Sequence, residues 1–212
     1  MQAARPTEPG DSALSGKAES ILAAARKTFL ASGFGAVSMD TIAREAGASK
    51  ATVYAHFTSK EELFGAMIAR ESEDYARGFS AGELDPGEVE TSLTVIAERF
   101  LRLLLLPNVI AINRIIIGEV ARFPVLAELF WQAGPERVRI QVEGFLHRAV
   151  DAGRLEIADT RVATEQFASL VRGEIQLRHL LGLERPADNA TVSTAARNAV
   201  ATFLKAFGAA KS

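Results

Sequence analysis

The sequence predicts an all-α fold in two parts, an amino-terminal three-helix helix-turn-helix domain and a larger carboxy-terminal helical bundle. Three observations predict it. Apolar residues recur three to four apart along most of the chain, the period of a helix face, and no stretch alternates as a strand does. Helix stops and starts punctuate that pattern at Gly33, Gly47, Pro107, Pro124, Gly134-Pro135 and Gly153. The stretch 38–60, SMDTIAREAGASKATVYAHFTSK, reads as two short helices joined by a tight turn, then the start of a third.

Taken in order, residues 1–15 carry two prolines, a glycine and mixed polar groups, and read as a disordered arm. A helix over 17–32 follows, with Ile21, Leu22, Ala25, Phe29 and Leu30 on one stripe and Gly33 past its end. Ser38 caps the next helix, where Asp40 complements the positive helix end and Ile42, Ala43 and Ala46 form the apolar face. Gly47 stops it, and Ser49 caps a second helix over 50–56 whose Val53 and Phe57 face inward. Such a pair places its second helix in a DNA major groove. Ser59 with Glu62 forms a capping box for a helix reaching about residue 77.

The larger domain begins after a Gly/Pro/Asp loop at 78–87. Its expected helices cover 88–106, 108–122, 125–133, 135–152 and 160–181, and a last one starts at Asp188 or Asn189. Pro135 suits a first helical position, and Asp159 suits a cap. The expected divisions are the arm at 1–15, the helix-turn-helix domain at 16–62 and a helical domain at 63–212.

Composition narrows the function. The 212 residues contain no cysteine, so no disulfide or thiolate metal site is available, in keeping with a reducing cytoplasm. Three histidines, His56, His147 and His179, lie far apart, so no metal is expected, and no phosphate loop or catalytic triad suggests a cofactor or an enzyme. The net charge of −2 gives no general attraction to nucleic acid, but residues 15–60 hold six basic groups against three acidic. The most apolar run, 100–117, is broken by Arg102, Pro107, Asn108, Asn113 and Arg114, so no membrane span is expected.

Residues 17–68 resemble the DNA-binding domain of the TetR/AcrR family of bacterial transcription regulators. The resemblance is carried by the run from Ala18 to Phe34, by S-M-D-T-I-A-x-x-A-G from Ser38, and by S-K-A-T-V-Y-x-H-F-x-S-K-E-E-L from Ser49. About 112–183, the chain is similar to the carboxy-terminal domain of the family's AefR-like branch. The resemblance implies a regulator that binds double-stranded, near-palindromic operator DNA as a homodimer. In the family, positions matching Lys50, Thr52 and Tyr54 approach bases and phosphates, and those matching Ser38, Thr41, His56 and Lys60 grip phosphates; Ser49 is counted with them. Hydroxyl, imidazole and ammonium donors suit phosphate oxygens, and a lysine also reaches guanine acceptors. The bland alternatives are a half-buried packing role for Tyr54, a core role for His56 and a solvated charge at Lys50.

The last two helices, 160–181 and from 189 on, are expected to form the dimer as a four-helix bundle, unless the stripe of the last helix is covered within its own chain. An unknown small apolar or amphipathic ligand is expected among the preceding helices. Its candidate walls and polar groups are Phe100, Asn113, Arg114, Phe123, Trp131, Phe167 and Arg172, each of which has an ordinary core or surface alternative. The expected function is a repressor released from its operator by that ligand. The alternatives are a ligand-independent activator or architectural protein and, least favoured, an enzyme using the carboxy-terminal pocket.

Overall fold

The computed structural model describes residues 9–78, 81–183 and 188–209, with side chains from residue 16 on and excepting those of residues 73–78. Among them the chain forms ten helices: α1 (Pro9–Ser32), α2 (Met39–Glu45), α3 (Lys50–His56), α4 (Lys60–Gly78), α5 (Val89–Leu104), α6 (Pro107–Glu119), α7 (Val125–Ala133), α8 (Pro135–Asp151), α9 (Thr160–Leu180) and α10 (Asn189–Phe207). The only extended pairing among these residues is an isolated antiparallel bridge between Leu155 and Gly208. Residues 1–8 of the expected arm lie outside the described residues, and α1 begins at Pro9 rather than near residue 17. Proline is tolerated in a first helical turn, where its missing N–H has no partner to lose.

Two compact units divide the chain. The first comprises residues 1–70 and 115–129, and the second 71–114 and 130–212. The expected boundary at residue 62 therefore falls inside the first unit, as α4 stays with the head to Arg70. A discontinuous piece, the end of α6 with the start of α7, also belongs to the head. Sequence order hides that piece because it lies some fifty residues downstream.

The first unit is built on aromatic packing. Phe29, Phe34 and Phe64 are fully buried, with ring centroids 5.2–5.5 Å apart. Ile21, Ala25, Ile42, Ala43, Val53, Leu63 and Met67 complete the core. Each large side chain stabilises by about 1.5–3 kcal/mol when buried, which fixes α2 and α3 on α1 and α4. An ion pair at 3.2 Å between Arg70 and Glu19 joins α4 to α1.

The second unit is organised on α5. Its Leu93, Ile96, Ala97, Phe100 and Leu101 are spaced three to four apart and buried against Phe145 and Leu146 of α8, Phe167 and Val171 of α9, and Ala196, Val200 and Phe203 of α10. Phe167 and Phe203 meet edge to face at 5.2 Å. The expected caps form at Asp159, which accepts from Val162 N, and at Asp188, which accepts from Thr191 N. Two starts differ. Pro107 itself opens α6, and Asn108, the expected cap, instead donates to Glu71 at 2.6 Å. α9 is not one continuous helix: Gly173 sits at φ 47°, ψ −152°, a conformation closed to side-chain-bearing residues, so segment 174–180 is a separate run.

Candidate nucleic-acid interface

α2 and α3 are seven-residue helices, and each begins with the same device. The Ser38 Oγ accepts from Thr41 N at 3.1 Å and lies 2.9 Å from the Thr41 hydroxyl. The Ser49 Oγ accepts from Thr52 N at 3.0 Å and lies 2.8 Å from the Thr52 hydroxyl. Capping serines thus orient a second hydroxyl one turn along, leaving two exposed hydroxyl pairs. Between the helices Gly47 takes φ 57°, and Ala48 N donates to Ala43 O at 2.9 Å to close the turn.

α3 is positioned by burial. Val53 is fully enclosed and Phe57 nearly so, which turns the opposite face outward. That face carries Lys50, Ala51, Tyr54 and Ala55, with Tyr54 43% exposed. Thr52 and His56 are half-buried at its rim. An exposed tyrosine ring between two alanines is an unusual surface for a folded monomer, and it leaves room for a groove edge on either side. Lys50 pairs with Asp40 at 2.9 Å, and its ammonium lies 5.9 Å from the Tyr54 ring centroid. The hydrogen bond to Asp40, then its charge, holds the Lys50 pKa above its usual value. The sequence marked Asp40 as a helix-end carboxylate and missed that it occupies Lys50. Arg44, exposed in the last turn of α2, is a further basic group the motif did not single out.

Lys60 sits differently from the other expected phosphate contacts. Its Nζ donates to Phe34 O and Val37 O, each at 2.9 Å, and lies 4.2 Å from the Phe34 ring centroid. Burial pushes its pKa below the usual lysine value, partly offset by the charges of Glu61 and Glu119. The ammonium is spent on the α1–α2 loop rather than displayed. Its carbonyl partners lie 23 and 26 residues upstream, where local spacing gives no signal.

The same loop is gripped from α6. The Glu119 carboxylate accepts from Gly35 N at 2.8 Å, and a Cβ at Gly35 would come within 3.0 Å of both carboxylate oxygens. Phe123 packs edge to face on Phe34 at 4.9 Å. The end of α6 and its following turn are thereby built into the reading head.

The residues expected to line one ligand chamber occupy several kinds of place. Phe100 and Phe167 are buried in the core of the second unit, where helical spacing of aromatics most often leads. Phe123 belongs to the first unit. Trp131 is 51% exposed and Arg172 is exposed. Asn113 donates to Val109 O one turn back at 2.8 Å, as short polar side chains do within helices. Arg114 donates to Leu180 O at 2.9 Å and His179 O at 2.8 Å, satisfying carbonyls at the end of α9. What α9 and α10 do leave open is a shallow, mainly apolar groove lined by Val162, Leu170, Phe203 and Phe207 with Glu165, Gln166, Ser169, Thr202 and Ala206.

These features define a helix-turn-helix DNA-binding protein. Residues 21–67 match the family model for bacterial regulatory proteins of the tetR family, and residues 91–209 match that for the AefR-like transcriptional repressor C-terminal domain. The chain is similar to the solved structure of the flavonoid-responsive regulator FrrA, with 39% identity, 92% of this chain and 98% of that one covered, and a TM-score of 0.81. A TetR regulator from Agrobacterium tumefaciens is 25% identical over 91% of this chain and 95% of that one, with a TM-score of 0.76. The HTH-type transcriptional activator FasR of Mycolicibacterium smegmatis is 41% identical over 58 residues, 27% of this chain and 26% of that protein, so the chain spans about a quarter of that relative's length. The chain belongs to the TetR family of bacterial transcription regulators and is a DNA-binding regulator of transcription.

Proposed function

We propose that this regulator is a homodimeric repressor, released from a near-palindromic operator by a small apolar or amphipathic ligand. The observation that carries the reading is the bond from Gly35 N to Glu119 at the end of α6. It ties the end of α6, a helix that starts in the second unit and ends in the first, to the loop that presents α2; in this reading a shift of α6 along its axis acts on the reading head. A ligand favouring the shifted state lowers DNA affinity, and DNA lowers ligand affinity by the same factor.

In this reading Lys50 and Tyr54 meet bases and neighbouring phosphates. The hydroxyls of Ser38, Thr41, Ser49 and Thr52, with His56, hold the backbone. Lys60 acts through the loop it clamps. A second copy covers the groove between α9 and α10, where Val162 and Leu170 are exposed. The site of action is the cytoplasm, with the DNA. The flavonoid-responsive relative makes flavonoids the first ligands to try.

The test is fluorescence anisotropy on an operator selected from randomised duplexes, with and without flavonoids and other amphipathic aromatics. Release by at least one compound, from a dimer of known mass, is expected. Tight binding by a monomer, or binding that no compound alters, would sink the reading. The likeness of the head to an activator supports a rival in which the bound dimer recruits transcription. A reporter carrying the operator upstream of its promoter separates the two by sign.

A further inference from the structure

We propose that His179 is the recognition group of a ligand site on α9, and that it binds a neutral hydroxyl carried on an apolar body. The proposal rests on the ligand-responsive reading above and names the residue and the chemistry.

Three polar residues are buried in the second unit: Ser92, Thr164 and His179. Two of them are satisfied. Ser92 donates to Asp85 O and Thr164 to Thr160 O, both at 2.7 Å. His179 is 8% exposed, and its Nε2 is sealed from solvent with no hydrogen-bond partner. Among the described residues it is the one buried side-chain polar atom so placed. Folded proteins rarely leave such an atom bare, because it has lost its water without replacement.

The other ring nitrogen fixes what the missing partner is. Nδ1 lies 2.8 Å from Ile175 O. A carbonyl only accepts, so Nδ1 carries the proton. A neutral imidazole has a single N–H, which leaves Nε2 as an acceptor. For the neutral ring the partner donates, as a hydroxyl does and a carboxylate does not. With one orphan atom to satisfy, the rest of the ligand is apolar, since further polar groups would go unpaired.

Position supports a sensing role. His179 lies on segment 174–180, which the non-helical Gly173 separates from the rest of α9. The segment's carbonyls at His179 and Leu180 are held by Arg114 of α6. A hydroxyl arriving at Nε2 thus acts on a piece with its own hinge. That piece is bonded to the helix whose other end, Glu119, holds Gly35.

The experiment uses the full-length protein and three probe sets: phenols of one to three rings, straight-chain alcohols, and aromatic carboxylates. Each hydroxyl compound is paired with its methyl ether. Operator release is measured on wild type, His179→Leu and His179→Gln, and each variant is melted without compound. At least one hydroxyl probe is expected to release the operator about tenfold or more better than its ether. His179→Leu should erase that difference, and His179→Gln, which keeps an acceptor, should restore part of it.

A preference for carboxylates, or equal release of wild type and His179→Leu by the same hydroxyl compound, overturns the proposal; in both cases the ligand-responsive reading stands. If no probe releases the operator, both fall. Which hydroxyl set acts distinguishes a phenolic ligand from an aliphatic one.

Discussion

The reading head and the second unit hold their functional side chains in opposite ways. In the head, the hydroxyls proposed to meet DNA are set by partners three residues away: Ser38 with Thr41, and Ser49 with Thr52. In the second unit the organising bonds span most of the domain, with Arg114 on Leu180 and Arg148 on Ala81, 66 and 67 residues apart. The head is thus a surface shaped by local rules, and the second unit a set of joints shaped by packing. The first suits a fixed task such as reading DNA, and the second suits the ligand response proposed for it. Glu119 and Lys60 are the exceptions inside the head. They reach the α1–α2 loop over long range, as the joints of the second unit do.

Substitutions can break that contrast, and the largest effect is expected at Tyr54. Tyr54→Ala removes an exposed ring and leaves Val53 and Phe57 in place. Operator affinity should fall about 100-fold while the circular dichroism spectrum stays helical. Normal binding by this variant would remove α3 from the interface.

Glu119→Ala comes next. It strands the Gly35 amide and loses a charge-assisted bond worth about 1.5–3 kcal/mol. The head should melt earlier and bind its operator roughly tenfold more weakly, with Glu119→Gln intermediate in both. A variant that binds and melts as wild type does would show that α6 does not hold the loop.

Lys50 and Lys60 sharpen the comparison between display and clamp. Lys50→Ala should lower the slope of log affinity against log salt by about one unit, because an exposed ammonium releases a counterion when it meets phosphate. Lys60→Ala should weaken binding to all sequences with the slope unchanged, because its ammonium already serves Phe34 O and Val37 O. A slope lowered equally by both would return Lys60 to the phosphate contacts.

The smallest effect concerns Glu62. Its hydrogen bonds from Thr58, hydroxyl first and then backbone, hold its carboxyl below the usual value. A depressed carboxylate pKa adds stability above the unfolded value near 4.5 and loses it as pH falls through the folded one. Thermal melts between pH 6 and about pH 3 should therefore flatten slightly in Glu62→Gln. An identical profile would mean the bond to Thr58 is not made in solution.

The head was legible residue by residue. Ser38, Gly47, Ser49 and the inward pair Val53 and Phe57 occupy the roles their spacing implied. The capping box gained one partner: Ser59 accepts from Glu62 N as expected, and Glu62 accepts from Thr58 as well as from the Ser59 backbone. The ligand chamber was not legible. Aromatic and charged residues at helical spacing look alike whether they line a cavity, fill a core, as Phe100 and Phe167 do, or cap a helix, as Arg114 does.

By itself the sequence determined the caps and turn of the helix-turn-helix, the starts of α9 and α10, and which face of α3 turns outward. Caps, turns and apolar periodicity act between residues a few positions apart, so the chain carries their outcome in its order. Tertiary structure alone decided that Glu119 belongs to the head, that Lys60 is spent on carbonyls, that Gly173 breaks α9, and that the His179 Nε2 is left without a partner. Each of these depends on which distant backbone or side-chain atoms packing brings within about 3 Å, and a one-dimensional pattern does not encode that distance.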